Sequence, residues 1–360
     1  MGTHNSQGKS GRAAVFHGPS DLRLVNRPTS ALEDFDLLLK VGACGVCGTD
    51  VRVFRQGHRR VNPPRVLGHE ISGEIVEVGS SIDRFKIGDQ VIVAPGIPCG
   101  RCKWCMSGEQ NLCEEKIAFA YELDGGFADY MLIKHPAYVN GLILKHDSTL
   151  THEAATLVEP LSCVLHGQRR INPTTNENTV IIGAGPIGAM HMLLSKKAGA
   201  RTIVSEKFPD RLDLMRHLGA DELINSQEED PVKRVREITG NRGAEVVIVC
   251  ASSLVCQQQA LRMASKKGRV LFFAGLPPSV TEVPLETNLI HYRDLTILGS
   301  FEASFKDFED ALRIVTSGKP NMKALITHRI PLDGILEAIH LVETGKAIKV
   351  VVTTRNANAY

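Results

Sequence analysis

Two short segments of the sequence, residues 45–50 and 68–70, carry side chains of the types that can bind zinc. The first reads Gly-Val-Cys-Gly-Thr-Asp and contains Cys47, and the second reads Gly-His-Glu and contains His69 and Glu70. Zinc accepts thiolate, imidazole and carboxylate ligands together. The glycines of both segments permit the tight backbone that brings two loops to one ion. The pattern indicates a metal site; the alternative is that Cys47 and His69 are ordinary core residues.

A second group of cysteines lies further along the chain. Successive spacings of three, three and eight residues separate Cys99, Cys102, Cys105 and Cys113. This spacing is typical of a tetrahedral zinc site with four thiolates, which is structural because it leaves no position for substrate. The alternative is a set of disulfides, which is disfavoured because nothing else in the sequence indicates secretion.

A glycine-rich segment, residues 183–188, follows the apolar run Thr-Val-Ile-Ile and opens a helical pattern. Such a loop after a strand is typical of dinucleotide binding. Gly183 permits the tight turn, Gly185 allows close approach of a pyrophosphate, and Gly188 allows contact between helix and strand. The first helical turn supplies amide donors to the phosphates. We therefore expect the dinucleotide to be bound by Gly183, Gly185, Pro186, Ile187 and Gly188.

The charges after the next predicted strand bear on the choice of cofactor. Glu206 stands where a carboxylate binds the ribose hydroxyls of NAD and repels the 2′-phosphate of NADP. Lys207 and Arg211 are nearby cations that would act in the opposite direction. We expect NAD.

Composition limits the partners of the chain. It has 360 residues, 43% hydrophobic content and a net charge of +2, so neither nucleic acid nor an anionic membrane is an expected partner. No uninterrupted apolar run is long enough for a transmembrane helix. The first 12 residues are polar and predict a disordered tail, not a signal peptide. Nine cysteines without a secretory signal favour a cytoplasmic protein.

The pattern of apolar residues divides the chain. Residues 13–158 contain short strand-like runs broken by Gly and Pro, which predicts a barrel-like β domain. Residues 159–304 alternate strands and helices, which predicts a parallel sheet covered on both faces, and residues 305–360 return to the first domain. In the second domain we predict strands at 179–183, 201–205, 245–250, 268–274 and 294–299.

Taken together and in this order, these motifs resemble the zinc-containing medium-chain alcohol dehydrogenases, most closely their polyol (sorbitol) dehydrogenase branch. The resemblance implies an α/β protein with a GroES-like β-barrel catalytic domain and a Rossmann dinucleotide-binding domain. The four-cysteine lobe would occupy residues 98–116 of the catalytic domain. The resemblance also implies a homodimer or homotetramer.

The resemblance further implies roles at the catalytic zinc. Cys47 and His69 would be ligands, and either Glu70 or Glu159 would take the place of the cysteine found in many alcohol dehydrogenases. Thr49 would begin a proton relay. Arg52 stands where several members have a histidine and cannot act as a base at ordinary pH, which leaves the end of the relay open.

Two further positions follow from the resemblance on the cofactor side. Arg211 lies five residues after Glu206, as in the polyol branch, which favours NAD. Lys349 matches a position near the pyrophosphate; the alternative is an exposed strand lysine.

The implied activity is hydride transfer from a secondary hydroxyl of a small polyol or sugar-like substrate to NAD. Glu302 stands where polyol dehydrogenases often carry an arginine, so we expect it to disfavour anionic substrates. One alternative is oxidation of a hydroxy-amino acid, as in the related threonine dehydrogenases. A more distant one is a non-catalytic dinucleotide-binding protein.

Overall fold

A computed structural model describes residues 8–277 and 279–354 of the chain. These residues form two compact units: unit 1 comprises residues 8–162 and 304–354, and unit 2 is Cys163–Ala303. Residues 1–7 of the predicted tail lie outside the described residues. The prediction of a tail through residue 12 is wrong, because Arg12 lies in the first strand and pairs with Asp129 at 2.9 Å.

The first part of unit 1 consists mostly of short strands. Its strands are β1 (Ser10–Gly18), β2 (Asp21–Pro28), β3 (Leu37–Val46), β4 (Arg65–Val66), β5 (Glu70–Val78), β6 (Gln90–Val93), β7 (Gly96–Ile97), β8 (Ile117–Ala118), β9 (Tyr130–Ile133) and β10 (Ile143–Lys145). Its helices are α1 (Gly48–Gln56), α2 (Lys103–Met106), α3 (His135–Asn140), α4 (His152–Ala155) and α5 (Val158–Ile171), and α5 continues into unit 2.

Strands and helices alternate along unit 2. Its strands are β11 (Asn178–Ile182), β12 (Arg201–Glu206), β13 (Glu222–Asn225), β14 (Ala244–Val249), β15 (Ala264–Phe272) and β16 (Thr296–Gly299). Its helices are α6 (Pro186–Lys197), α7 (Pro209–His217), α8 (Pro231–Ile238), α9 (Leu254–Met263) and α10 (Thr287–Arg293).

The chain then returns to unit 1. This part contains α11 (Phe305–Ser317), β17 (Ile326–Pro331), α12 (Ile335–Glu343) and β18 (Lys349–Thr353).

Unit 1 is built around strand β3. Its larger sheet has the order β10-β6-β5-β3-β18-β17, and β9 also pairs with β3. A smaller sheet has the order β2-β1-β4. Leu37, Leu39 and Val41 of β3 are fully buried, because this strand has hydrogen-bonded neighbours on both edges and packs in the core of the unit. The predicted β domain is therefore present.

Unit 2 contains one six-stranded parallel sheet in the order β13-β12-β11-β14-β15-β16. This order is that of a doubly wound dinucleotide-binding fold. Strands β11 and β14 are almost continuously buried and apolar, as expected where helices cover both faces of a parallel sheet. The predicted strands are confirmed; β13, α8 and α10 were not predicted, because these elements are short and rich in polar residues.

Candidate metal and dinucleotide sites

The register of three strands in unit 1 brings the first set of candidate ligands together. Strand β3 runs antiparallel to both β5 and β18, so the end of β3 lies beside the starts of the other two. Gly45 pairs with Glu70, and Val46 pairs with Val350. Cys47 follows β3 directly.

Ligand atoms of Cys47, His69 and Glu70 lie within 4.8 Å of one another. His69 and Glu70 are buried and Cys47 is half-buried. A thiol, an imidazole and a carboxylate are ligand types that zinc prefers, and atoms this close together can be reached by one ion with bonds of about 2.0–2.3 Å. The alternative that Cys47 and His69 are unrelated core residues is not supported by this convergence.

Asp50, which the sequence analysis did not single out, ties two of these ligands together. Its Oδ2 accepts a hydrogen bond from the Cys47 amide at 2.9 Å, and its Oδ1 accepts one from the Gly68 amide at 3.2 Å. The same Oδ1 lies 3.4 Å from Nδ1 of His69. This contact leaves Nε2 of His69 for a metal, as in carboxylate–histidine–zinc arrangements. Asp50 is the third residue of helix α1. A carboxylate at this position is typical of a capping box, so the sequence did carry a signal for this residue.

The electrostatics of this cluster favour a bound cation. Burial disfavours a charged His69, but Asp50 and Cys47 outweigh it and raise the pKa of His69 well above its usual value. The same negative groups would favour a metal cation bound beside His69. The residues therefore fit a zinc ion by donor type, spacing and charge.

Lys349 lies at the same cluster. It is 1% exposed, so the alternative of an exposed strand lysine is wrong. Its Nζ forms an ion pair with Oε2 of Glu70 and donates a hydrogen bond to the Val46 carbonyl at 3.2 Å. A Cβ at Gly45 would overlap the Glu70 carboxylate, so a side chain at this position would displace the ion pair. The expected role of Lys349 toward the pyrophosphate of the cofactor stays a prediction.

Glu159 and Thr49 occupy the surroundings of the cluster. Glu159 stands in the first turn of α5, is half-buried, and helps to raise the pKa of Lys349, although burial acts against it and Glu70 is the stronger cause. It is not among the described residues whose ligand atoms converge with Cys47 and His69. Thr49 is half-buried at the start of α1, two residues after Cys47.

The second predicted metal site is a compact lobe of unit 1. Strands β7 and β8 pair at its base, and Cys99, Cys102, Cys105 and Cys113 converge between them with ligand atoms within 4.8 Å. All four are free thiols, so the disulfide alternative is wrong. Sγ of Cys105 lies 3.9 Å from Sγ of Cys99 and 3.5 Å from Sγ of Cys102. Tetrahedral zinc with bonds of about 2.3 Å separates its sulfurs by about 3.8 Å, so the lobe fits a zinc ion.

The glycine loop of unit 2 depends on glycine at two of its positions. Gly183 has φ +102°, a left-handed conformation that favours glycine. A Cβ at Gly188 would overlap the Gly183 carbonyl, so helix α6 packs against β11 only with glycine there. A Cβ at Gly185 would meet no atom within 4 Å, which leaves the N-terminus of α6 open. Pro186 and Ile187 form the first turn of that helix.

Glu206 accepts hydrogen bonds from the backbone of this loop and from the turn that follows β12. Its Oε2 accepts a hydrogen bond from the Ala184 amide at 2.7 Å, and its Oε1 accepts from the Lys207 and Phe208 amides at 2.7 and 3.2 Å. Arg211 lies 3.8 Å from Oε2. The sequence did not reveal that this carboxylate also holds the backbone of the loop.

Glu302 follows strand β16 in unit 2. It is half-buried and has φ +51°, an uncommon conformation for a residue with a side chain. Its expected role toward substrate stays a prediction.

Among the described residues, no helix has the length and apolar character needed to span a membrane.

Known proteins share both units. Residues 33–142 match the alcohol dehydrogenase GroES-like domain family, and residues 186–317 match the zinc-binding dehydrogenase family. Sorbitol dehydrogenase of Bacillus subtilis is 34% identical over 91% of this chain and 92% of its own. L-threonine 3-dehydrogenase of Pyrococcus horikoshii is 35% identical over 88% of this chain and 90% of its own.

A solved structure extends this likeness to three dimensions. A candidate zinc-binding dehydrogenase of Sinorhizobium meliloti 1021, bound to NADP, has a TM-score of 0.87 and 30% identity, and the match covers 96% of this chain and 99% of that one. The expected GroES-like and Rossmann domains are thereby confirmed. These matches to dehydrogenases show that this chain is an oxidoreductase. It belongs to the zinc-containing medium-chain alcohol dehydrogenase family.

Proposed function

We propose that the protein oxidises a secondary hydroxyl of a polyol or sugar-like substrate and transfers the hydride to NAD. The convergence of Cys47, His69 and Glu70 within 4.8 Å is the observation that carries this proposal. A carboxylate in place of a second thiolate makes the metal site harder, which favours substrates that offer more than one hydroxyl oxygen. The likeness to a sorbitol dehydrogenase supports the same substrate class.

The protein residues of unit 1 would prepare the substrate hydroxyl. Cys47, His69 and Glu70 would hold the ion, with Asp50 fixing the orientation of His69. When bound there, zinc supplies Lewis acidity that lowers the pKa of an alcohol. Lys349 partly neutralises Glu70, so Glu70 is positioned either to bind the metal or to withdraw from it. We propose Glu70 as the third ligand and place Glu159 beyond it.

Proton removal would begin at Thr49. Its hydroxyl accepts a proton from the substrate hydroxyl and passes on its own. Arg52 on the same helix is exposed and cannot be a base, so we propose that solvent receives the proton.

The loop of unit 2 would bind the dinucleotide. NAD supplies the hydride acceptor. The open position at Gly185 and the start of α6 would receive its pyrophosphate. Glu206 would accept hydrogen bonds from the ribose hydroxyls and repel a 2′-phosphate, so we propose NAD although the solved relative is bound to NADP. Arg211, held near Glu206, offsets part of that repulsion.

Oxidation of a hydroxy-amino acid is the second candidate, favoured by the 35% identity to a threonine dehydrogenase. Where it meets the substrate, Glu302 would favour neutral polyols over phosphates and carboxylates; toward a hydroxy-amino acid it would attract the ammonium group and repel the carboxylate.

A substrate screen separates the candidates. The zinc-loaded protein is mixed with neutral polyols, sugar phosphates or L-threonine, each with NAD or NADP, and the absorbance of the reduced cofactor is followed. Turnover of a neutral polyol with NAD supports the proposal, and turnover of L-threonine alone favours the second candidate. Full turnover by Cys47→Ala would contradict both.

Two further predictions concern the assembly and location of the protein. Light scattering tests whether it is a homodimer or homotetramer, and cell fractionation tests whether it is cytoplasmic.

A further inference from the structure

The chain that leaves the four-cysteine lobe runs directly to the surroundings of the Cys47 cluster. Strand β8 follows Cys113 and pairs with β7, which leads into Cys99, so these two strands form both ends of the lobe. Nζ of Lys116 donates a hydrogen bond to the Asn111 carbonyl inside the lobe at 2.8 Å. The exit segment, residues 116–127, therefore begins at the lobe itself.

The far end of the exit segment is bonded to the chain that precedes His69. The amides of residues 125–127 donate hydrogen bonds to the carbonyls of residues 66–68 at 2.8–3.0 Å. The Gly68 amide in turn donates to Oδ1 of Asp50, which lies 3.4 Å from Nδ1 of His69. The exit segment therefore supports one of the two chain segments that supply the proposed zinc ligands.

A bidentate ion pair joins the middle of the exit segment to the other of these two segments. Arg60 lies four residues after the end of α1, the helix that begins directly after Cys47. Its Nε and Nη2 lie 2.7 and 2.8 Å from Oε1 and Oε2 of Glu122. Oε2 also accepts a hydrogen bond from the Ala118 amide of β8 at 2.9 Å. Glu122 therefore connects the base of the lobe to the chain that follows α1.

The surroundings of this pair hold it in one geometry. The side chains of Arg60 and Glu122 are 29% and 32% exposed, and the Arg60 guanidinium carbon lies 5.0 Å from the centroid of the Tyr121 ring. His58 packs edge-on against the same ring, with 5.2 Å between the centroids. Bidentate pairing of guanidinium and carboxylate fixes orientation as well as distance. A shift of β8 would therefore move Arg60 and the end of α1 with it.

We propose that Arg60 and Glu122 are positioning residues that couple the lobe to the Cys47 cluster, so that zinc in the lobe tightens zinc binding at the cluster. A structural zinc site folds when its metal binds, and only the folded lobe holds β8 where Glu122 meets Arg60. An empty lobe would release Glu122 from Arg60 and loosen both segments that supply the ligands. The proposal rests on the two zinc sites of the proposed function and adds an interaction between them.

The first test measures zinc release from the full-length protein in a graded series of chelator concentrations, with circular dichroism on the same samples. Cys47→Ala keeps only the lobe site and Cys102→Ala only the cluster, which assigns the two steps of the wild-type curve. Glu122→Gln, with the lobe filled, should lower the zinc affinity of the cluster by about 2–30-fold.

Glu343→Gln is the matched control. Glu343 forms an equally short bidentate pair, at 2.6 and 2.7 Å, with Arg55 of α1, but it lies on α12 and not on the exit segment. This variant should release zinc from the cluster as the wild type does.

A double-mutant comparison tests whether the ion pair carries the coupling. Cys102→Ala should weaken zinc binding at the cluster in the wild type and should have little further effect in Glu122→Gln. If Cys102→Ala does not fold, Arg60→Gln takes its place in the comparison, and its effect should likewise not add to that of Glu122→Gln.

Hydrogen exchange provides a measurement that does not require zinc at the cluster. In Cys47→Ala, one equivalent of zinc fills the lobe, and it should slow amide exchange across residues 48–69 by about 2–30-fold. The same zinc should not slow exchange there when Glu122→Gln is added. If the wild type binds no zinc at the cluster, the proposed function fails, and the exchange result alone decides the coupling.

Two results would overturn the proposal. One is that Glu122→Gln releases zinc from the cluster as the wild type does. The other is that exchange across residues 48–69 is the same with the lobe filled and empty.

Discussion

Replacement of Asp50 by Asn tests how far the proposed catalytic zinc site depends on a residue that is not one of its proposed ligands. Asp50 is 2% exposed and serves three donors: the amides of Cys47 and Gly68 and the Nδ1–H of His69. Asparagine keeps the shape but has only one acceptor oxygen, so its NH₂ group must face at least one of these donors. Loss of such an outer partner typically lowers metal affinity by about 10–100-fold. This corresponds to about 1.4–2.7 kcal/mol of zinc binding.

Replacement by Ala is expected to do more. It leaves the Cys47 and Gly68 amides buried without a partner, and each such donor costs about 1–3 kcal/mol, so the free energy of unfolding should fall by about 2–6 kcal/mol. Asp50→Asn should therefore lose zinc before it loses the fold, whereas Asp50→Ala should lose both.

The assay is zinc content after dialysis against a graded series of chelator concentrations, with circular dichroism on the same samples. We expect about two zinc ions per chain in the wild type, and one site of Asp50→Asn should empty at about 10–100-fold lower chelator strength while the four-cysteine site stays filled. Asp21→Asn, which removes an exposed carboxylate paired with Arg23, is the control and should behave as wild type. Identical chelator curves for Asp50→Asn and wild type would refute the assignment of Asp50 to His69.

Four further substitutions separate the roles of the proposed sites. Cys47→Ala should abolish turnover and leave NAD binding and the unfolding temperature largely intact. Cys102→Ala should instead lower the unfolding temperature, because structural zinc contributes folding free energy. The reverse pattern would mean that the Cys47 site is structural and the four-cysteine site is catalytic. Glu206→Ser should shift the ratio of kcat/KM for NADP over NAD by about tenfold or more toward NADP, and it should also lower stability because the Ala184 amide loses its acceptor. A wild-type enzyme that prefers NADP would contradict this. Glu302→Gln should improve turnover of anionic relative to neutral substrate analogues. If the ratio of anionic to neutral turnover is the same in the variant and the wild type, Glu302 does not contact the substrate.

The four-cysteine pattern and the glycine loop were predictable because each depends on spacing within one short segment, whereas Cys47 and His69 come from two segments that meet through strand pairing. In the four-cysteine lobe, all ligands come from 15 consecutive positions, 99–113, so the sequence itself limits how they can meet. At residues 183–188, the glycines are dictated by local requirements, namely the positive φ of Gly183 and the overlap that any side chain at Gly188 would produce. Periodicity likewise predicted the parallel sheet, since buried strands read as apolar runs.

The surroundings of these sites depend on strand register and on chain segments far apart in sequence. Lys349 contacts Glu70 because β18 and β5 lie on either side of β3. No local sequence pattern specifies this pairing, so the sequence did not show whether Lys349 is buried. The sequence also could not choose between Glu70 and Glu159 as the third ligand, because both are carboxylates. Only the fold decides which of them converges with Cys47.

The sequence by itself thus determined the family, the ligand types and the cofactor loop, because local spacing and backbone requirements are written in consecutive residues. Only the tertiary structure decided the partners of those groups: Asp50 behind His69, Lys349 against Glu70, and Arg60 against Glu122. The physical reason is that burial and charge pairing act through space, and a side chain's neighbours in space are set by how strands pair, which the sequence near that residue does not record.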